Sequence, residues 1–243
     1  MPQLHLGLNA PGLGTYKSAW RRDGIDPVGL TTGEFYVRLA QTAEQGLFDA
    51  FFLADQPTLD PASVVRTPGR PRVLALPGAS LTLASTDEEA LRRKEELDGG
   101  DGALSGRQYL AGRLGLSADD LDLDAPIPLE KVDIERQRRE NSEGFLRSIL
   151  SLAASGKPLR ELLRDGSGHL TVVGSPATVA DTFEQWFAVG AIDGFNLMFD
   201  VIEESLLLFV DEVVPLLQER GLFRRKYEGT TLRDHLGLPV PTW

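Results

Sequence analysis

Few side chains in this sequence could do chemistry, and one aspartate is the best placed of them. Asp55 directly follows residues 48–54 (FDAFFLA), a nearly continuous apolar run. Such a run is typical of a strand that is buried on both faces, as in a parallel sheet. Because ligands of parallel α/β proteins bind at the carboxyl ends of the strands, Asp55 either contacts a ligand or caps the next turn. Its position alone leaves both roles open.

A second candidate is the tripeptide Gly174-Ser175-Pro176, which predicts the start of a helix. Ser175 is suited to the N-cap and Pro176 to the first helical position. The free backbone N–H groups at such a start could hold a phosphate. An ordinary helix cap would have the same sequence, so both interpretations stay open.

Other candidates carry less information. The histidines His5, His169 and His235 stand near the ends of predicted elements and far apart in sequence, which favours structural or surface roles. The acidic run at 119–124 lacks the glycine and the distal glutamate of a calcium-binding loop, so it predicts a solvated loop. No nucleophile, zinc, P-loop or dinucleotide motif occurs. We therefore predict no metal site, and the catalytic residues stay unknown.

The first 55 residues predict the strands and helix that would position Asp55. Residues 4–8 alternate apolar with polar or small side chains, which indicates a short strand. Thr31 or Thr32 can cap the following helix, and Gly46 stands where a helix end favours a positive φ. The apolar residues at helical spacing are Phe35, Leu39 and Ala43. With the run that ends at Asp55, this is a βαβ unit.

Prolines interrupt the middle of the chain. Residues 56–72 contain four prolines, which exclude a continuous helix or a central strand. Strand-like sequence resumes at 73–84, and Ser85 or Thr86 begins an acidic helix. This acidic helix is predicted over 87–97, and further helices are predicted at 106–114, 140–154 and 158–164.

The last part of the chain is the most regular. Strands are predicted at 169–173 and 195–199, and the helix between them ends at Gly190. An apolar stripe on that helix predicts core packing and comprises Val179, Phe183, Trp186 and Phe187. A final helix over 203–220 contains Pro215, which must bend or interrupt it. Alternating strands and helices indicate an α/β fold with a parallel sheet.

Composition narrows the class of protein and its partners. The chain has 243 residues, 42% of them hydrophobic, and a net charge of -11. An acidic surface repels nucleic acid and anionic lipid, so neither is an expected partner. The absence of cysteine excludes disulfides and thiolate metal sites. The first residues do not have the pattern of a signal peptide, and we expect a cytoplasmic protein.

Three blocks of sequence together resemble the nitrilotriacetate monooxygenase component A-like family of FMN-dependent, bacterial luciferase-like monooxygenases. The pieces F-x-L-A-D, ending at Asp55, and G-F-N-L, which contains Asn196, are shared widely among such proteins, whereas the tail is more specific. The blocks are residues 4–8, 18–21 and 43–55, residues 169–176 and 193–197, and the tail residues 220–224 and 227–238.

The resemblance implies a TIM-type barrel that binds reduced FMN, supplied by a separate flavin reductase as a transient partner. With O₂, such a flavin oxygenates a small organic substrate, often with cleavage of a C–N or C–S bond. The flavin carries out the chemistry, while the protein positions the flavin and excludes water from it. Asp55 matches the family's aspartate at the end of the second strand, which implies that it contacts the flavin.

The family pattern is incomplete in this chain. The strands that follow the aspartate in the family, and the loop that grips the phosphate, are missing, whereas residues 71–78 resemble a late strand. We therefore predict an α/β fold of the TIM-barrel type, as an incomplete barrel with roughly five strands. One domain would span 1–243, with an apparent internal deletion near 57–71.

An unclosed barrel exposes sheet edges and apolar faces, so we expect a homo-oligomer. The resemblance favours an FMN-dependent monooxygenase, although most of the family's flavin contacts are missing and activity of the shortened chain stays open. The alternative is a non-catalytic remnant of the family that associates with itself or with other proteins.

Overall fold

Five parallel strands form one sheet in the computed structural model of the protein. The structure describes residues 3–16, 18–26, 28–53, 74–99, 101–140, 143–165, 169–190 and 192–237. The strands are β1 (His5–Asn9), β2 (Ala50–Phe52), β3 (Gly78–Leu83), β4 (Leu170–Gly174) and β5 (Gly194–Phe199). They confirm the predicted α/β class and the partial barrel of about five strands.

The strand order is β2-β1-β5-β3-β4, which differs from that of a complete barrel. In a closed eight-stranded barrel each strand lies beside its neighbours in sequence, whereas here β3 lies between β4 and β5. Among the described residues, β2 and β4 each pair with a single strand. The described strands therefore form an open sheet.

Ten α-helices occur in the described ranges. They are α1 (Gly33–Gln45), α2 (Asp87–Asp98), α3 (Asp101–Leu114), α4 (Ile134–Glu140), α5 (Glu143–Ala154), α6 (Leu159–Asp165), α7 (Pro176–Ala188), α8 (Ile202–Leu208), α9 (Val214–Glu219) and α10 (Leu232–His235). Two predicted caps are confirmed: the Thr86 hydroxyl accepts from Glu89 N, and the Ser175 hydroxyl accepts from Thr178 N. Each cap satisfies a backbone donor that the first turn leaves free.

The main core lies between one face of the sheet and helices α1, α7, α8 and α9. Alternate strand residues supply its sheet side, since neighbouring side chains of a strand point to opposite faces. These fully buried residues include Leu4, Leu6, Leu8, Leu81, Phe195, Leu197 and Phe199. The rings of Phe183 and Phe195 stack with centroids 4.0 Å apart. Each such side chain contributes about 1.5–3 kcal/mol through burial.

A second, smaller core lies within the long connection from β3 to β4. Its buried residues come from helices α3, α5 and α6 and from the loop between α3 and α4; they include Leu110, Leu114, Leu121, Ile149 and Leu162. The acidic run lies on its surface, where Asp120 pairs with Lys131 at 2.7 Å and Asp124 with Arg160 at 3.0 Å. The loop that was predicted to be solvated is thus exposed, and two of its carboxylates form ion pairs.

Two local predictions are wrong. The residue with a positive φ after α1 is Leu47, at 58°, whereas Gly46 has a φ of -79°. Position 46 requires glycine for a steric reason, because a Cβ there would lie 2.6 Å from Val210 Cγ2. On α7, Trp186 is 38% exposed although Val179 and Phe183 are fully buried. The seven-residue step from Val179 to Trp186 makes almost two full turns, so both lie on the same side of α7 and the helical period does not account for the exposure of Trp186.

The predicted interruption by Pro215 is confirmed. A π-helical turn, Phe209–Val213, separates α8 from α9, and Pro215 stands in the first turn of α9. Proline has no N–H, and its ring would clash with the carbonyl group of Asp211 in a regular helix. The wider π turn relieves that clash.

Several predictions fall on residues 54–73, which lie outside the described residues. They are the flavin contact Asp55, the proline-rich stretch 56–72 and the apparent deletion near 57–71. In the parts of the chain that are described, no helix combines the length and the apolar character needed to cross a membrane.

Candidate functional site

The sheet face opposite the main core carries mostly small and polar side chains. The strand register aligns them across the sheet, since Gly7 pairs with Asn196 and Ser80 with both Met198 and Thr171. We call this surface the polar sheet face. It comprises His5, Gly7 and Asn9 of β1, Ala50 and Phe52 of β2, Gly78, Ser80 and Thr82 of β3, Thr171 and Val173 of β4, and Asn196 and Met198 of β5.

Two carboxamides on the polar sheet face have buried oxygens with unused bonding capacity. Within the described ranges, Asn9 Oδ1 and Asn196 Oδ1 are buried and have no hydrogen-bond partner. We call these two atoms the amide acceptors. Gly7 makes room for one of them, because a Cβ at position 7 would lie 3.1 Å from Asn196 Oδ1. A buried unpaired carbonyl costs about 1–3 kcal/mol and is uncommon in native proteins, so each amide acceptor keeps an unused capacity to accept an N–H group.

Neither asparagine was predicted as a site residue, although the sequence contains a signal for both. Asn196 interrupts the apolar run GFNLMF, and Asn9 ends the run that forms β1. A carboxamide within a buried strand needs a partner, which separates it from the surrounding packing residues. The periodicity that identified the strands did not show which residues lacked such a partner.

A loop crosses the carboxyl end of the sheet next to the amide acceptors. It follows Asn9 directly and comprises the described residues of 10–32, which exclude 17 and 27, and we call it the rim loop. Thr15 N donates to Phe199 O at 2.8 Å, and Tyr16 N donates to Asp200 O at 3.1 Å. Gly14 has a φ of 135°, and a Cβ there would collide with the Asp200 carbonyl, so the approach requires glycine.

Asp200, which follows β5, is the centre of a buried polar network. Its carboxylate accepts from Val201 N at 2.8 Å, from Ser205 Oγ at 2.6 Å and from Arg93 Nε at 2.5 Å. Burial opposes the charge on Arg93, but hydrogen bonds and ion pairs with Asp200 and Glu204 outweigh it and raise the pKa of Arg93. The network holds the chain rigidly at the carboxyl end of β5.

The opposite, amino end of the sheet carries a second charged cluster. The Asp49 carboxylate contacts His5 Nδ1 at 3.1 Å and Arg224 Nη2, and it accepts from Leu6 N at 2.8 Å. Burial raises the pKa of Asp49, but the hydrogen bonds from His5 and Arg224 outweigh it and lower the pKa overall. Tyr227 Oη also donates to Phe48 O at 2.8 Å. We call Asp49, His5 and Arg224 the amino-end cluster, and it anchors the C-terminal tail.

The phosphate interpretation of Gly174-Ser175-Pro176 is corrected by the neighbouring helix. The Asp87 carboxylate, in the first turn of α2, accepts from Ser175 N and from Thr178 Oγ1, both at 2.7 Å. These bonds lower the pKa of Asp87, which stays ionised. A carboxylate already complements the positive end of the α7 dipole, so the tripeptide is an ordinary cap.

Of the remaining histidines, His169 lies against the polar sheet face, because a Cβ at Gly78, which pairs with Asn196, would be 2.5 Å from His169 Nδ1. His169 is exposed, and the His235 ring stacks on Tyr227 with centroids 4.8 Å apart. No group of three or more His, Asp or Glu side chains that could hold a metal ion occurs in the residues that the structure describes.

Curated proteins with similar sequences decide the family. N-acetyl-S-(2-succino)cysteine monooxygenase of Bacillus subtilis (strain 168) is 37% identical over 174 residues, which are 70% of this chain and 39% of that protein. Nitrilotriacetate monooxygenase component A of Aminobacter aminovorans is 38% identical over 173 residues, which are 68% of this chain and 37% of that protein. The chain belongs to the luciferase-like monooxygenase family.

The solved structure of EDTA monooxygenase (EmoA) from Chelativorans sp. BNC1 shows the shared fold of the luciferase-like monooxygenases. It superimposes with a TM-score of 0.60 at 18% identity, over 98% of this chain and 99% of that chain. No protein-family model matches the chain. The chain spans 39% and 37% of the lengths of the two luciferase-like relatives named above.

Proposed function

We propose that the chain is a shortened monooxygenase that uses reduced FMN and O₂ to oxygenate a small organic substrate. Cleavage of a C–N or C–S bond is the expected outcome. The proposal rests on the family and on the names of the relatives, which include nitrilotriacetate monooxygenase and dibenzothiophene-sulfone monooxygenase. The designation component A of one relative supports a second component, and we propose a separate flavin reductase as a transient partner.

The observation that carries the proposal is the pair of amide acceptors on the polar sheet face. The isoalloxazine ring of FMN is planar and has N–H donors, and carboxamide oxygens suit such donors. Both asparagines are neutral, so they can contact the ring without a fixed charge. The described residues therefore fit the ring better than the phosphate, because Asp87 already occupies the start of α7.

Asp55 completes the proposed ring site. Phe52, the last residue of β2, pairs with Asn9, and Asp55 follows it three residues later in the chain. We propose that Asp55 contacts the flavin beside Asn9. When bound, reduced FMN would supply the electrons that activate O₂. The chain's own part is to accept ring N–H groups at Asn9 and Asn196 and to exclude water through the packed core behind the sheet.

We propose a single domain over residues 1–243 with an internal deletion near 57–71, in a cytoplasmic homo-oligomer. The described strands leave the sheet open, and association could cover its edges. The same observation favours the second candidate function, a non-catalytic remnant of the family that acts through association. A measurement of flavin binding distinguishes the monooxygenase from the non-catalytic remnant.

The test is an anaerobic titration with reduced FMN. We expect saturable binding in the micromolar range and, in a separate aerobic assay with a flavin reductase, substrate-dependent O₂ consumption. Asp55→Asn should weaken binding, whereas Asp211→Asn removes an equal charge from an exposed helical position and should leave binding unchanged. A cooperatively folded sample that shows no saturable binding would contradict the enzyme and favour the remnant.

A further inference from the structure

Four charged side chains join the rim loop to helices α2 and α8. Arg22 of the loop pairs with Glu204, with Nε and Oε1 3.2 Å apart. Glu204 also pairs with Arg93, with Oε2 and Nη2 3.1 Å apart. Arg93 reaches Asp200 through its Nε at 2.5 Å. We call this alternating series, Arg22–Glu204–Arg93–Asp200, the ionic clasp.

The inner half of the ionic clasp is buried. The side chains of Arg93 and Asp200 are 17% and 5% exposed. Burying two charges costs desolvation energy, and a well-packed apolar pair often serves stability equally well. The outer half is more exposed, at 33% for Arg22 and 36% for Glu204, and water screens it more strongly. The clasp is thus anchored in the protein interior and reaches out to the loop.

The clasp and the main chain hold the same segment of the rim loop from two sides. The Asp200 side chain belongs to the clasp, while its carbonyl accepts from Tyr16 N. Six residues further along, Arg22 fixes the other end of the segment. Between these points Trp20 is 50% exposed, with the Arg21 guanidinium 4.7 Å from its ring centroid. Tyr16 and Arg22 are therefore both held in place, and an exposed aromatic ring stands between them in the sequence.

We propose that Arg93 is a positioning residue that holds residues 14–22 across the carboxyl end of the sheet. Loops that carry binding residues need a rigid support, and Arg93 connects this loop to the end of β5. We further propose that the loop forms one wall of the ligand site beside Asn9, and this second part rests on the proposed function.

Amide hydrogen exchange followed by NMR tests the positioning without any ligand. In Arg93→Gln we expect exchange at the Thr15 and Tyr16 amides to accelerate by about tenfold, because local opening becomes easier. Amides within β5 and α7 should keep their wild-type rates. Arg92→Gln is the matched control, since Arg92 is the exposed neighbour on the same helix. Arg93→Lys should restore part of the protection because it keeps the charge.

Two outcomes would overturn the positioning role. One is unchanged exchange at Thr15 and Tyr16 in folded Arg93→Gln. The other is an equal acceleration throughout β5 and α7, which would make Arg93 a residue of general stability. Arg22→Gln cuts the clasp at its exposed end and spares the buried pair. It should accelerate exchange at the Arg21 amide, and no change there contradicts a loop held by the clasp.

Titration with reduced FMN tests the second part. We expect about tenfold weaker binding by Arg93→Gln, partial recovery in Arg93→Lys and no change in Arg92→Gln. Equal binding by wild type and Arg93→Gln would show that the loop is not a wall of the site. If the wild type itself binds no FMN, the proposed function and the wall fail together, while the exchange result still decides the positioning role.

Discussion

The amino end of the β1 strand and the stretch from its middle to its carboxyl end use buried side-chain oxygens in opposite ways. At its amino end both oxygens of the Asp49 carboxylate are used, by His5, Arg224 and Leu6 N. Asn9 ends the strand, Asn196 lies opposite Gly7 at its middle, and these two residues carry the amide acceptors. The first arrangement stabilises the fold. The second leaves two buried oxygens unpaired, which lowers stability, and such destabilising features are concentrated at functional sites. In parallel α/β proteins the carboxyl end is also the functional one.

The largest effect is expected from breaking the amino-end cluster. In Arg224→Met the buried Asp49 carboxylate loses its cationic partner, whose side chain is only 7% exposed. We expect the free energy of unfolding to fall by about 3–5 kcal/mol in urea titrations. The control is Arg225→Met at an exposed position, with an expected change of about 0.5 kcal/mol or less. Equal losses in both variants would contradict the special role of the cluster.

The pH dependence of stability gives a second, smaller effect at the same end. The pKa of Asp49 is lowered from its ordinary value of 3.8, so its ion pair stabilises the folded protein above that value. This contribution is lost as the pH falls through the lowered pKa. Asp49→Asn should therefore be less stable than wild type at about pH 7, and the difference should shrink below about pH 4.

Urea midpoints measured across this pH range test the assignment. A constant difference between wild type and Asp49→Asn at all pH values would show that the Asp49 proton is not linked to folding.

The smallest change in stability, and one of opposite sign, is expected on removing the amide acceptors. Asn196→Leu is nearly isosteric and removes one amide acceptor, so stability should rise by about 1 kcal/mol. Asn9→Leu should act in the same direction, and both variants should bind reduced FMN more weakly. Ser80→Ala, on the same sheet face, is the control and should change stability by about 0.5 kcal/mol or less. A loss of stability in Asn196→Leu would mean that the carboxamide is already hydrogen-bonded within the protein.

Local elements were predictable because each depends on neighbouring residues. The apolar spacing of Phe35 and Leu39 predicts α1, and Ser175-Pro176 predicts the start of α7. Pro215 likewise predicts a break in the last long helix. Boundaries shifted by a few residues, as for the helix predicted at 106–114, which begins at Asp101. Helix ends depend on capping contacts that periodicity does not contain.

Long-range polar partners were not predictable. Asp87 lies 88 residues before Ser175, and nothing near Ser175 in sequence shows that a carboxylate would cover its N–H group. Arg93 and Asp200 are 107 residues apart. The flavin contact predicted at Asp55 stays a prediction, because it falls outside the described residues.

The sequence by itself determined the strands, most of the helices, the α/β class and the family, since these follow from local periodicity, turn residues and matching motifs. Only the tertiary structure decided that β3 lies between β4 and β5, that Asp87 caps α7, and that the Oδ1 atoms of Asn9 and Asn196 are buried without a hydrogen-bond partner. The physical reason is that hydrogen-bond satisfaction and strand neighbours belong to contacts between distant segments, which side-chain spacing along the chain does not specify.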